Sequence, residues 1–199
     1  MAKIVNWYKF NSKLKDKKIL LFSAIDICRL FGVSKVAAGF LLRRYTAKGY
    51  LVQVKRGLYG FPDALPPEPY LANKIYEPSY VSLEFALSYH GVIPENVYEI
   101  TSITTKATRR FEKLGKTFSY RHVKRIAFTG YTTEKQNGFS FLIADPEKAF
   151  VDANYFRLLG GLKPISRYHK EKINPVKVLR YVALTGNKKL TAIIKRTLQ

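Results

Sequence analysis

Cysteine is nearly absent from the 199 residues. Cys28 stands alone, which excludes an internal disulfide and any multi-cysteine zinc site. It falls within an apolar helical pattern and is expected to be buried filler. Histidine is scarce as well: His90, His122 and His169 match no recognised ligand or catalytic spacing. Long apolar runs are missing. Stretches such as Lys18–Ile25 break far short of the roughly 20 residues needed to cross a bilayer, so no membrane span is expected. The opening Met1–Phe10 is amphipathic and soon polar, unlike a secretory signal, which predicts a cytoplasmic location. No Gly-rich loop suited to cradling phosphate occurs, so no cofactor is indicated. Repeats and low-complexity runs are absent too.

Acidic side chains are the scarce charged class. Only 14 Asp and Glu oppose 35 Lys and Arg, leaving a formal charge of +21. Such a balance points to a polyanion, with nucleic acid first and an anionic membrane surface second; a generally basic protein without such a partner is the plain alternative. Hydrophobic residues make up 47% of the chain, enough for real cores and too many for disorder. Residues 1–65 carry a net +10 and residues 66–199 a net +11, so the first part is twice as dense in charge. Between them Phe61–Pro69 is rich in proline, which lacks a backbone donor and disfavours helix before each ring. That segment reads as a stiff linker. The expected organisation is therefore a domain over 1–65 and a second over 66–199. Within the latter, the charge is segregated into basic stretches over 100–125 and 157–199.

The first domain has an ordered set of signals. An amphipathic segment from Val5 to Lys17, with Trp7, Tyr8, Phe10 and Leu14, predicts a covering helix. Ser23 with Asp26 three residues on forms a capping signature, followed by Ile25, Ile27, Leu30 and Phe31 at helical spacing and a stop at Gly32. Ser34 then caps a second helix reaching about Lys48, with Gly49 beyond it. Two β-prone runs follow, Tyr50–Val54 and Leu58–Phe61, joined by Lys55, Arg56 and Gly57. Helix, tight turn, capped basic helix and basic-tipped hairpin, in that order, predict a winged helix-turn-helix. The expected partner is double-stranded DNA. The second helix should bury Ala38, Leu41, Leu42 and Tyr45 and carry Lys35, Val36, Gly39, Arg43 and Arg44 on or near the other side, toward the major groove, while the hairpin tip meets the backbone or a minor groove. The expected DNA-binding residues are Ser34, Lys35, Val36, Arg43, Arg44, Lys48, Lys55 and Arg56. For each charge, a solvated helix face is the plain alternative. Phe40 is open between packing inside and touching a thymine methyl group.

The second domain predicts a small mixed sheet ending in helices, so the whole chain is expected to be α+β. Its strand signals are Val97–Thr104, Thr117–Tyr120, Ile126–Tyr131 and Phe139–Ile143. Helices are expected from about Ser82, from Asp145-Pro146 and from Asn174-Pro175, the last two with a capping side chain and proline in the first turn. Arg109, Arg110, Arg121, Lys124 and Arg125 form a candidate secondary basic patch if the fold brings them together. The segments Pro78–Pro94, Thr101–Lys106, Phe118–His122 and Ile143–Ala149 with Asp152 closely resemble AbiEi antitoxins of type IV toxin–antitoxin, or abortive-infection, systems. The resemblance covers nearly the whole chain. It implies a repressor that binds inverted repeats in its own promoter, and an antitoxin that counters a nucleotidyltransferase-like toxin without a stable complex. Catalysis is not expected. The rival from another class is a metal-dependent nuclease using Glu147 and Asp152, although a capped helix start with a local ion pair accounts for them more cheaply. RNA binding through the aromatic-rich second domain is a third reading, and those aromatics are more easily core.

Overall fold

The computed structural model describes residues 5–198 and is α+β, with eight α-helices and two β-sheets among the described residues. The chain divides into two compact units between Pro67 and Glu68. None of its described helices is long and apolar enough to cross a membrane.

The first unit runs α1 (Trp7–Asp16), β1 (Leu21–Phe22), α2 (Ala24–Phe31), α3 (Lys35–Ala47), β2 (Val52–Lys55) and β3 (Leu58–Gly60). Short polar side chains start each helix. Asn6 accepts from the Lys9 amide at 2.9 Å, and Ser34 from the Ala37 amide at 3.2 Å. Ser23 accepts from the Asp26 amide while the Asp26 carboxylate takes the Ser23 amide at 2.8 Å, which closes the capping box. Each cap satisfies a donor that the helix cannot, worth about 1 kcal/mol. Three antiparallel strands pair in the order β1-β3-β2. Gly57, at φ 79°, makes the turn that an L side chain resists.

Phe10, Leu14, Phe22, Ile27, Ala38 and Leu42 fill the core of this unit. Phe10 stacks on Phe31 at 5.5 Å and meets Tyr45 edge-on at 5.0 Å. Such pairs add about 0.5–1.5 kcal/mol beyond area burial. Cys28 is only partly buried against this cluster, as is Leu41. Ile25, expected on the apolar face of α2, is instead exposed, because the inward face is set by Ile27 and Phe31.

The second unit begins with α4 (Glu68–Ile75), then β4 (Ser79–Val81), α5 (Leu83–Tyr89), β5 (Ile100–Thr104), β6 (Arg109–Lys113) and β7 (Lys116–His122). After a 3-10 turn over Arg125–Ala127 come β8 (Tyr131–Gln136), β9 (Phe139–Ala144), α6 (Pro146–Leu159), α7 (Pro175–Thr185) and α8 (Lys188–Thr197). The six strands form one mixed sheet in the order β6-β7-β5-β4-β9-β8. Register fixes its two faces. Tyr80 lies opposite Ile103 and Ser102 opposite Tyr120, so Tyr80 and Tyr120 project to opposite sides. The Tyr80 hydroxyl donates to Asp152 of α6, and that of Tyr120 to the Ala72 carbonyl of α4 at 2.7 Å. Helices α4 and α6 therefore cover opposite faces of the sheet.

Two expected strands differ. The run from Val97 enters the ladder only at Ile100, where β7 supplies its first partner in Phe118. The expected strand Ile126–Tyr131 does not form: the 3-10 turn Arg125–Ala127 takes its start, with Ile126 exposed, and extension begins only at Tyr131 after Gly130, which has φ 76°.

Candidate nucleic-acid interface

Helix α3 sorts its side chains by the 3.6-residue period. Ala38, Leu42 and Tyr45 are buried, whereas Val36 and Phe40, one turn apart, are 69% and 61% exposed. Phe40 thus points outward. The Arg43 guanidinium lies 5.5 Å from the centre of the Phe40 ring, a cation–π contact on the open face. Lys35 opens the helix and Lys48 closes it as the C-cap.

Lys35, Arg43, Lys48 and Arg56 are exposed, and none has an acidic partner among the described residues. Asp16 ends α1, Asp26 is bound in the capping box and Asp63 sits 3.7 Å from Lys15, so no carboxylate of this unit lies on α3 or the hairpin. The Ser23 hydroxyl and amide hold the Asp26 carboxyl below its ordinary value against partial burial. The resulting field around Lys35, Arg43, Lys48 and Arg56 is positive.

Three expected site residues have local duties. Ser34 spends its oxygen on the α3 cap. Lys55 is half-buried at the end of β2, paired in register with Leu58, and Arg56 with Gly57 forms the turn beyond it. Arg44 donates to the Val5 carbonyl at 3.4 Å and to the Tyr45 hydroxyl at 3.1 Å, with its guanidinium 4.9 Å from the Tyr45 ring. It ties the start of the described chain to α3. Sequence spacing placed Arg44 beside Arg43 but carried no sign of this tertiary anchor.

In the second unit the expected basic patch is divided. Arg110 lies opposite Ser119 and Arg109 opposite Tyr120. Strand alternation therefore sends Arg110 and Arg121 to the face that carries α6, and Arg109 to the face that carries α4. Arg110 also lies 4.0 Å from Glu99 and 3.9 Å from Glu112. Lys124 and Arg125 lie beyond the strand end, at the start of the 3-10 turn, and are exposed.

The carboxylates weighed for catalysis are engaged within the chain. Asp152, buried in α6, accepts from the Tyr80 hydroxyl at 3.1 Å, the Ser82 hydroxyl at 2.8 Å and the ammonium of Lys148, itself 2% exposed. Burial pushes the Asp152 carboxyl up, and Lys148 pulls it back only in part. The same burial, with the neighbouring Asp152 charge, raises the Tyr80 hydroxyl well above the usual tyrosine range. Glu147 accepts from the Asn174 amide at 3.0 Å and from Lys177 at 3.0 Å. Burial alone would raise its carboxyl, but the Asn174 amide and Lys177 outweigh that and hold it low. Lys177 also reaches Asp145 at 3.1 Å, and Tyr181 donates to Asp145 at 2.6 Å.

The sequence reading of a local ion pair at the helix start missed the depth of this network. A lysine and an aspartate four residues apart among Ala149, Phe150, Val151 and Ala153 was the available signal. Among the described residues, no group of three or more His, Cys, Asp or Glu side chains converges to hold a metal ion. His90 meets the Ala144 carbonyl at 2.8 Å and His122 the Lys106 carbonyl at 3.1 Å, both as structural bonds. No protein-family model matches the chain, and no curated protein matches it.

Proposed function

We propose that the first unit is a winged helix-turn-helix that binds double-stranded DNA, with α3 in the major groove and the β2–β3 turn against the sugar-phosphate backbone. The observation that carries this is that Lys35, Arg43 and Lys48 along α3, and Arg56 in the hairpin turn, are exposed and lack acidic partners among the described residues. A helix about 10–12 Å across fits a groove about 12 Å wide, and unpaired cations exchange condensed counterions for phosphates.

On the resemblance of the second unit, the chain is a repressor of its own operon that binds inverted repeats in its promoter. It is also the antitoxin to a nucleotidyltransferase-like toxin, with which it forms no stable complex. It works in the cytoplasm and is not an enzyme. The engagement of Asp152 and Glu147 with Lys148 and Lys177 supports a structural duty over metal-dependent cleavage.

The test is a shift assay on the DNA upstream of its own gene. Preference over random duplex at moderate salt is expected, and equal affinity for both overturns the repressor reading. Labelled DNA incubated with magnesium or manganese is expected to stay intact, and metal-dependent cleavage by the purified chain would revive the nuclease.

A further inference from the structure

Two features of α3 are not explained by core packing among the described residues. The first is the pair of exposed apolar side chains Val36 and Phe40, set one turn apart among cations. The second is Gly39 beside them. A glycine inside a helix costs about 0.5–1 kcal/mol against alanine. Its cost is tolerated where a turn or tight packing demands it, yet a Cβ built on Gly39 meets nothing within 4 Å. The empty space lies on the chain's own surface, so the constraint comes from outside, and glycine is the residue that lets a backbone approach a ligand closely.

Resting on the DNA-binding reading above, we infer that Val36, Gly39 and Phe40 form a thymine-reading strip. Gly39 lets the helix backbone settle deep in the major groove, and Val36 and Phe40 bury the 5-methyl groups of thymines there. The methyl is the only apolar group that a base pair presents in the major groove, and it is the natural partner of an apolar side chain in an otherwise cationic surface. Arg43, held over the Phe40 ring, fixes the ring's position and reaches a phosphate or a guanine edge. Exposed apolar side chains of this kind also suit a protein partner, but Lys35, Arg43 and Lys48 around them, without acidic partners among the described residues, match a polyanion.

The probe is a duplex enriched by the full chain from a random library, and its twin with deoxyuridine at every thymine, which removes only the methyl groups. Wild type is expected to bind the twin more weakly by about fourfold per contacted methyl, the worth of one buried methyl(ene) group. Phe40→Ala is expected to keep its Tm, since the ring is exposed, and to lose most of that discrimination. Gly39→Ala is expected to raise Tm by a few degrees while weakening binding to the enriched duplex at least tenfold, opposite signs that a folding defect cannot produce. Equal affinity of wild type for both duplexes overturns the inference. So does full discrimination in Phe40→Ala, which would assign the effect to duplex shape, and so does unchanged affinity in Gly39→Ala. If the library yields no enriched sequence and no duplex binds, the DNA-binding reading itself fails, an outcome distinct from binding without methyl discrimination.

Discussion

Replacing Asp152 by asparagine keeps the shape of the side chain and removes its charge, which isolates what the buried network contributes. In the native chain the carboxylate satisfies the Lys148 ammonium, the Tyr80 hydroxyl and the Ser82 hydroxyl, all out of contact with water. An uncharged amide leaves the ammonium without a counter-charge, a loss of about 3–5 kcal/mol for breaking one side of a buried pair. Both hydroxyls donate to the same carboxylate oxygen, so an amide oxygen in that place still accepts from both, while the amide NH2 in place of the other oxygen meets the ammonium donor against donor. Domains of this size hold about 5–15 kcal/mol in all, so Asp152→Asn is expected to lie near the edge of folding. Adding Lys148→Met removes the stranded charge and substitutes an apolar chain of similar length. The double variant is therefore expected to recover at least 2 kcal/mol over Asp152→Asn alone. Urea unfolding of the four proteins, followed by circular dichroism, gives the cycle directly. Additive losses, or an Asp152→Asn protein within 1 kcal/mol of wild type, would refute the view that this pair closes the sheet against α6.

Two further outcomes follow from the charges. With Lys35, Arg43, Lys48 and Arg56 on phosphate, the logarithm of affinity should fall with the logarithm of salt at a slope of about −3.6 per bound chain, and Arg56→Gln should flatten it by about 0.9; a wild-type slope shallower than about −1 contradicts the assignment. Glu147 is held below its ordinary value of 4.5, so its contribution is present above that pH and is lost as pH falls through the lower folded value. The stability difference between wild type and Lys177→Met should accordingly be largest near neutrality and close below about pH 4.5; a constant difference down to pH 3 would show that Lys177 acts through packing alone.

Much of the fold was legible because short polar side chains and glycines act locally. Ser23, Ser34, Asp145 and Asn174 each cap the helix that the sequence announced. The illegible parts are those that neighbours impose. Strands β6 and β8 are the two edges of the six-stranded sheet, largely polar in sequence, and neither would be chosen on propensity. One signal in the sequence was not used: Asn137 and Gly138, at φ 50° and 82°, join β8 to β9 with the dipeptide that two-residue hairpins favour. Helix α4 was hidden because Pro69 reads as linker, although proline fits the first turn of a helix.

At the candidate site, helical phase alone places Val36 and Arg43 outward. The duty of Arg44 depends on Val5, 39 residues earlier, and no local pattern encodes it. The division of the second basic patch likewise needs strand register, since one residue separates opposite faces.

Site-specific photo-crosslinking tests the central claim most directly. A benzophenone side chain placed at Val36 on α3, and separately at Arg56 in the hairpin turn, is irradiated with labelled duplex from upstream of the gene, with the exposed Tyr8 of α1 as the control position. Crosslinks from positions 36 and 56, but not from 8, are expected. Absence of any crosslink from 36 and 56 under conditions where the duplex is bound would contradict the account.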